Sequence, residues 1–214
     1  MKLHEIKGTA RFGQPLSQAH GAVILVHGRG SSPHDIAGLA DVMPGAGLAF
    51  LAPPATGGTW YPQRFLAPLE RNEPWLSSAL NVIGQLVAEA QAAGIAAEQI
   101  GLAGFSQGAC LVLEYASRNP RRHGFVAGLS GALIGPPDTP RPAGDLHGTP
   151  VLLGCAELDP HIPLDYVERS AEIFSQLNAV VTKQIFPGGA HAIFPAEIDW
   201  LKQHSPNQAP RKTG

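Results

Sequence analysis

The sequence contains little of what disulfide-rich, metal-binding or nucleic-acid-binding proteins need. Only two cysteines, Cys110 and Cys155, occur in 214 residues, and neither belongs to a CxxC pair or to a closely spaced group of cysteines and histidines. A disulfide framework is therefore excluded, and we expect no metal and no cofactor. The formal net charge of −2 provides no basic surface, so nucleic acid is not an expected partner.

Long apolar segments are also absent. Residues 1–13 mix charged and isolated apolar side chains and lack the apolar core of a signal peptide, and no segment is long enough to span a membrane. We therefore expect a cytoplasmic protein with no integral membrane segment. The length favours one domain over residues 1–204, followed by a polar, flexible tail over 205–214. The oligomeric state stays open, with a homodimer as one option.

Buried strands and amphipathic helices alternate along the chain. The predicted strands are 22–26, 47–51, 100–103, 125–129, 151–153 and 180–186. The predicted helices are 36–43, a long helix from 75 to about 94, one from about 107 to 117, 164–177 and 193–201. Continuous aliphatic strands are typical of parallel sheets that helices cover on both faces, so the pattern predicts an α/β fold with a doubly wound, mainly parallel sheet. The proline-rich stretch 131–148 has no helical period, which predicts a loop, no large cap domain and an open, shallow site.

A serine stands at the junction between one predicted strand and the next helix. Residues 104–108 read Gly-Phe-Ser-Gln-Gly and match G-x-S-x-G, a sharp turn that exposes the serine hydroxyl. Glycine suits the flanking positions because a Cβ there would collide with the neighbouring strand and helix. The motif alone is unspecific, but its position between a strand and a helix predicts that Ser106 is a nucleophile.

A carboxylate and a histidine follow later strands. Asp159 lies in a proline-flanked turn after the strand 151–153, and for that reason we prefer it to Glu157 as the acid. His191 follows the strand 180–186 and a glycine pair, and the order Ser106, Asp159, His191 fits a serine hydrolase of this fold class. The alternative for Asp159 is a helix cap or turn residue. Structural or solvated roles are expected for the histidines His27, His123, His147 and His161.

The end of the first central strand supplies candidate oxyanion donors. The sequence His-Gly-Arg-Gly at 27–30 places a loop where backbone N–H groups can point at the reacting carbonyl. Arg29 and Gln107 are the predicted donors, and each such fixed donor contributes about 3 kcal/mol to transition-state stabilisation. An ordinary turn is the alternative interpretation of the His-Gly pair.

These motifs together resemble the phospholipase/carboxylesterase family of α/β hydrolases, which also contains the acyl-protein thioesterases. The resemblance covers nearly the whole chain and rests on residues 23–30, on Gly-Phe-Ser-Gln-Gly-Ala at 104–109, on Asp159 and on His191. It implies an α/β-hydrolase fold, a Ser106–Asp159–His191 triad and an oxyanion hole from Arg29 and Gln107. Residues 54–62 also resemble the family's aromatic loop beside the active site. The resemblance implies an acyl or aryl pocket for the substrate that Trp60, Tyr61 and Phe65 can line, and packing over the sheet is the alternative for each of these residues.

The expected activity is hydrolysis of small carboxylic esters through an acyl-enzyme. A thioesterase or lysophospholipase could use the same triad, although thioesterases of the family usually have Leu-Gly-Asp where this chain has Arg-Gly-Ser at 29–31. A dienelactone hydrolase is a related alternative, but the nucleophile of such an enzyme is a cysteine, whereas this chain has Ser106 at that position. A non-catalytic small-molecule receptor is the alternative from another class, and the intact triad disfavours it.

Overall fold

The computed structural model describes residues 3–43 and 47–206. The strands in this part of the chain are β1 (Ala10–Gly13), β2 (Gly21–Val26), β3 (Leu48–Ala52), β4 (Ile100–Phe105), β5 (Phe125–Leu129), β6 (Pro150–Ala156) and β7 (Val180–Phe186). They form one sheet in the order β1-β3-β2-β4-β5-β6-β7. All neighbours pair in parallel except β1, which runs antiparallel to β3. The predicted mainly parallel sheet is confirmed.

Helices cover both faces of this sheet. They are α1 (Pro33–Ile36), α2 (Gly38–Val42), α3 (Trp75–Ala92), α4 (Gln107–Arg118), α5 (Leu164–Gln176) and α6 (Pro195–His204). Alternate residues of β2 divide between two apolar cores, because successive strand side chains point to opposite faces. Ile24 and Val26 belong to the core with α3, α4 and α5. Val23 and Leu25 belong to the core that includes Trp200 and Leu201 of α6.

Several local predictions differ from the structure, and two predicted strands, 100–103 and 151–153, are in fact longer. The strand β1 was not predicted, because it is a short edge strand whose side chains alternate between exposed and half-buried. The single helix expected over 36–43 is instead two short helices that meet at Ala37. The last helix begins at Pro195 rather than residue 193, because proline has no N–H and suits the first turn of a helix.

The end of the packed chain also differs from the predicted boundary at residue 204. Ser205 is buried and its hydroxyl donates to Leu201 O, while His20 Nε2 lies 3.1 Å from Pro206 O. The packed part of the tail 205–214 therefore includes its first two residues. Its remaining residues, 207–214, lie outside the described part of the chain.

The stretch 131–148 is a loop without helix or strand, as predicted. It is nevertheless well anchored, because Leu133, Ile134 and Leu146 are buried in the core. Arg141 donates to the fully buried carboxylate of Glu114 at 2.8 Å. Among the described residues no helical cap covers the sheet, and none of the described helices is long and apolar enough to cross a membrane.

Candidate active site

The sequence-predicted site residues come together at the carboxyl ends of the parallel strands, where open α/β sheets place their ligands. Ser106 follows β4, Asp159 follows β6 and His191 follows β7. A cavity of about 420 Å³ opens beside them. Its wall is formed by Gly28, Arg29, Ser31, Tyr61, Arg64, Phe65, Phe105, Ser106, Gln107, Cys110, His161, Ile162 and His191.

Ser106 occupies a sharp, strained turn between β4 and α4. Its φ of 55° and ψ of −117° are unusual for a residue with a side chain, and such backbone conformations cost about 1–3 kcal/mol. The flanking glycines make the turn sterically feasible. A Cβ at Gly104 would lie 2.3 Å from Gly108 O, and one at Gly108 would lie 2.0 Å from Val26 O. The expected reason for both glycines therefore holds in the structure.

Ser106, His191 and Asp159 form a continuous hydrogen-bonded chain. The Ser106 Oγ lies 2.8 Å from His191 Nε2, and His191 Nδ1 lies 2.7 Å from Asp159 Oδ2. The other oxygen of Asp159 accepts the backbone N–H groups of His161 and Ile162, at 2.8 and 3.1 Å. The carboxylate is thus fully buried with three partners, whereas Glu157 is exposed. The geometry favours Asp159 over Glu157 as the partner of His191.

Two aromatic rings fix the orientation of the His191 imidazole. The Phe105 ring centre lies 5.0 Å away, and the His161 ring meets it edge-on at 4.8 Å. His161, which we expected to be structural or solvated, is exposed and also lines the cavity directly beside His191. Its position two residues after Asp159 was the signal that could have identified it, because one tight turn holds both.

The predicted oxyanion donors, Arg29 and Gln107, line the same cavity as Ser106. Gln107 is the first residue of α4. The N–H groups of the first turn of a helix have no hydrogen-bond partner within the helix and lie at the positive end of the helix dipole, so the Gln107 N–H can bind an oxyanion. Arg29 follows β2 and lines the same cavity. Both backbone segments therefore border the space next to the Ser106 hydroxyl.

The side chains of these two residues hold residues 60–65, which overlap the end of the predicted loop 54–62 and are called the aromatic loop from here on, in a way the sequence did not reveal. Arg29 Nη2 and Gln107 Nε2 both donate to Tyr61 O, at 2.9 and 2.8 Å. Gln107 Oε1 accepts the Trp60 N–H at 2.9 Å, and Arg29 also donates to Pro62 O and Gln63 O. Side chains that bind backbone carbonyls leave no sequence motif, so this clamp could not be predicted.

The three aromatic residues predicted to bind substrate have different positions. Tyr61 and Phe65 line the cavity. Trp60 does not: it is fully buried behind the cavity wall, and its Nε1 donates to His27 O at 2.9 Å. The pocket role assigned to Trp60 is corrected accordingly to a packing role, since its polar N–H finds a partner in the interior.

The sequence model of the phospholipase/carboxylesterase family matches residues 8–206. The chain belongs to this family. A crystal structure of a phospholipase/carboxylesterase from Dyadobacter fermentans DSM 18053 superposes with a TM-score of 0.90 at 41% identity, covering 95% of this chain and 97% of that chain. The esterase PE8 superposes with a TM-score of 0.71 at 25% identity, covering 91% and 95%. The predicted family and its α/β-hydrolase fold are confirmed.

Curated family members that match this chain include a thioesterase. Acyl-protein thioesterase 1 of Gibberella zeae is 32% identical over 122 residues, which is 56% of this chain and 52% of that protein. The matched segment therefore spans about half the length of this relative. The relatives named so far include both esterases and a thioesterase, so family membership alone does not select one of these two substrate classes.

Burial favours the uncharged forms of two cysteines and one histidine near the candidate active site. Burial raises the pKa of both Cys110 and Cys155 to about 12, and the Sγ of Cys155 lies 3.7 Å from Ile162 O. His27 Nε2 accepts the Ala55 N–H at 3.1 Å while its Nδ1 lies 2.7 Å from Gly28 O, and burial lowers its pKa. Within residues 3–43 and 47–206, no three histidine, cysteine or acidic side chains form a metal-binding group.

Proposed function

We propose that the protein is a serine carboxylesterase that hydrolyses small carboxylic esters through an acyl-enzyme intermediate. The observation that carries this proposal is the chain of two hydrogen bonds, 2.7 and 2.8 Å long, that joins Asp159 to His191 and His191 to Ser106. A neutral serine is a poor nucleophile until an adjacent base accepts its proton, and a base is itself held by a third group in serine hydrolases.

The proposed reaction has two halves, formation of the acyl-enzyme and its hydrolysis, and the same groups of the site act in both. Ser106 Oγ attacks the ester carbonyl while His191 Nε2 takes its proton, and Asp159 holds the Nδ1–H and stabilises the imidazolium. The N–H groups of Arg29 and Gln107 bind the oxyanion of the tetrahedral intermediate. His191 then protonates the departing alcohol, and a water molecule activated by the same imidazole releases the carboxylic acid from Ser106.

A thioesterase is the second candidate, and the named thioesterase relative favours it. The same triad attacks an ester and a thioester, so the shape of the cavity decides between them. Arg29, at the position where thioesterases of the family usually have leucine, favours the esterase. Matched oxygen and sulfur esters of one acyl group, ranked by kcat/KM, test this order. A higher value for the sulfur ester beyond its intrinsic reactivity would reverse it.

Covalent labelling tests the proposal itself. A fluorophosphonate probe should label one serine in the wild-type protein and none in Ser106→Ala, whose ester turnover should fall at least about a thousandfold. Ser31→Ala is the matched control, because Ser31 also lines the cavity but donates its hydroxyl to Asp35 at 2.9 Å. Labelling that persists in Ser106→Ala would overturn the assignment. Absence of both labelling and turnover in the wild type would favour the non-catalytic receptor.

The expectations on domain organisation, location and assembly stay predictions. We propose one domain, a cytoplasmic location and a small-molecule ester as the partner, with a homodimer left open. Sedimentation of the purified protein measures the oligomeric state directly.

A further inference from the structure

The charged side chains on the cavity wall all have the same sign. Arg29 and Arg64 line the cavity, and no aspartate or glutamate is among the described residues that form its wall. The nearest relevant carboxylates are engaged elsewhere. Asp159 is buried behind His191, and Asp35 accepts hydrogen bonds from Ser31 and Ser32 at the start of α1. Among the described residues of the wall, the permanently charged side chains are therefore two arginines, and the Asp35 carboxylate lies behind Ser31 rather than on the wall.

Neither guanidinium forms an ion pair with an acid of the described residues. All three hydrogen bonds of the Arg29 guanidinium go to the uncharged carbonyls of residues 61–63. Arg64 makes one long bond of 3.4 Å to His161 O. The ion pairs among the described residues involve other cations. A guanidinium has five N–H donors, so Arg64 keeps most of its donors available to a ligand.

The two arginines come from different segments of the chain, although the Arg29 guanidinium reaches the carbonyls of residues 61–63, next to Arg64. Arg29 belongs to the loop after β2, on the side of the predicted oxyanion donors, and Arg64 belongs to the aromatic loop next to Phe65. Both residues are exposed, while Tyr61, Phe65 and Ile162 form an apolar interior. A cleft with low-dielectric walls and one sign of charge concentrates ligands of the opposite sign.

Holding the aromatic loop accounts for Arg29 but not for Arg64. The three bonds of Arg29 are short and converge on that loop, whereas the single long bond of Arg64 orders little. An arginine that contributes so little to the fold and yet lines the cavity beside the nucleophile has the properties of a ligand-binding group. Planar guanidinium donors match the geometry of carboxylate and phosphate oxygens.

We propose that the substrate is an ester that also carries an oxyanionic group, a carboxylate or a phosphate, which Arg64 binds at the cavity mouth with Arg29 adding to the positive field. This inference rests on the proposed esterase function and names its substrate class. Binding of the oxyanion at the mouth leaves the apolar interior for the uncharged part of the ester.

Matched esters test this proposal on both sides of the scissile bond. For the alcohol side we would compare 4-acetoxybenzoate and 4-acetoxyphenyl phosphate with neutral methyl 4-acetoxybenzoate. For the acyl side we would compare mono-4-nitrophenyl pimelate with 4-nitrophenyl heptanoate. The measured quantity is the ratio of kcat/KM for the anionic ester to that for its neutral partner. Because each ratio is compared between proteins, differences in the intrinsic reactivity of the esters cancel.

In Arg64→Gln the ratio should fall about fivefold for at least one anionic ester, the size expected for one exposed charge pair. Arg64→Lys should retain most of the wild-type ratio. Arg122→Gln is the matched control: Arg122 is half-buried, also donates to a histidine carbonyl, and precedes β5 at the amino ends of the parallel strands, whereas Ser106 lies at their carboxyl ends. The wild-type ratio should also fall as ionic strength rises from about 0.05 M to about 0.5 M, since salt screens exposed charges.

The outcomes separate this proposal from the esterase proposal. If the wild type hydrolyses the neutral esters but Arg64→Gln and added salt leave every ratio unchanged, the anionic substrate class is wrong and the esterase stands. If the wild type hydrolyses none of the esters and the fluorophosphonate does not label Ser106, both proposals fail. A fall confined to the phosphate or to a carboxylate ester identifies which oxyanion Arg64 binds and on which side.

Discussion

Asp159 and Glu157 stand two residues apart in one turn and carry the same functional group in different surroundings. The Asp159 carboxylate is buried and receives two backbone N–H groups in addition to His191. Glu157 is exposed, and its backbone N–H donates to Phe186 O at 2.7 Å. Only a carboxylate held in this way can keep the imidazole in one tautomer and orientation.

Asp159→Asn should therefore lower kcat by roughly four orders of magnitude while the fold persists, as the loss of the tautomer-holding acid does in serine triads. Glu157→Gln should change kcat little, because the side chain faces solvent. Both variants would be measured on one activated ester, with thermal melting as the control for folding. A silent Asp159→Asn together with an inactive Glu157→Gln would move the acid to Glu157.

The two thiols should not react in the folded protein. Burial raises the pKa of both Cys110 and Cys155 to about 12, and the thiolate is the reactive form. A colourless disulfide reagent that releases a coloured thiol should therefore report no free thiol at pH 8 before unfolding and two per chain afterwards. Fast reaction of either thiol in the native protein would contradict this prediction, and its loss in Cys110→Ser would identify Cys110, which lines the cavity, as the accessible thiol.

At the scale of elements, the junction of β4 and α4 does more than expose Ser106. Gln107, the first residue of α4, binds the Trp60 N–H and the Tyr61 carbonyl with its two side-chain ends. The helix that follows Ser106, the proposed nucleophile, is thereby tied to the loop that provides Tyr61 and Phe65 to the cavity. Substrate binding and the position of the nucleophile thus depend on one element.

Gln107→Met should loosen this loop while it keeps the backbone N–H of residue 107. The exchange leaves a buried N–H and a carbonyl with fewer partners, which lowers the free energy of unfolding by about 1–3 kcal/mol. We expect KM to rise more than kcat falls, because the cavity wall moves while the triad stays. Gln63→Met, the same exchange at an exposed glutamine of the same loop, is the control. An unchanged KM in Gln107→Met would contradict the clamp.

The sequence predicts these elements unequally well, for physical reasons. The strands β2 and β5 are predicted closely because both faces are buried and the apolar run is continuous. The candidate site residues follow the ends of strands and have a fixed order along the chain, so the sequence also predicts their positions. The sequence does not predict the role of Trp60, because an aromatic side chain can line a cavity or pack behind it equally well. The contact of His161 with His191 depends on a turn whose geometry no local pattern specifies.

At the scale of the whole molecule, two buried titratable groups influence stability in opposite directions. Glu197 in α6 is fully buried, and its Oε2 accepts the Phe194 N–H while Oε1 has no partner among the described residues. Burial raises its pKa from 4.5 to about 7. His123 is also buried, and burial lowers its pKa from 6.5 to about 4.

Between pH 4.5 and 7 the unfolded chain releases the Glu197 proton before the folded protein does, so this group lowers stability as pH rises through that range. His123 raises stability over an overlapping range, because the unfolded chain then binds more protons. The two contributions largely offset each other in the wild type.

Glu197→Gln should separate them. Relative to the wild type, this variant should gain stability steadily from pH 4.5 to 7 and remain constant above, by roughly 3 kcal/mol in total. Denaturant unfolding at a series of pH values measures the difference, from which His123 cancels because both proteins contain it. Asp199→Asn, an exposed acid of the same helix, should show no such trend, and a flat difference for Glu197→Gln would refute the ionisation of this buried carboxyl.

The strand β7 ends the sheet, and its outer edge is not covered by another strand of the described chain. Val180 and Ile185 are exposed on it, and Lys183 lies between them in an ion pair with Glu168. An exposed apolar edge is a template on which a second chain can add a strand, and a charge in its middle opposes that addition. This lysine, which takes no part in the chemistry, therefore limits how readily folded molecules aggregate when they are concentrated.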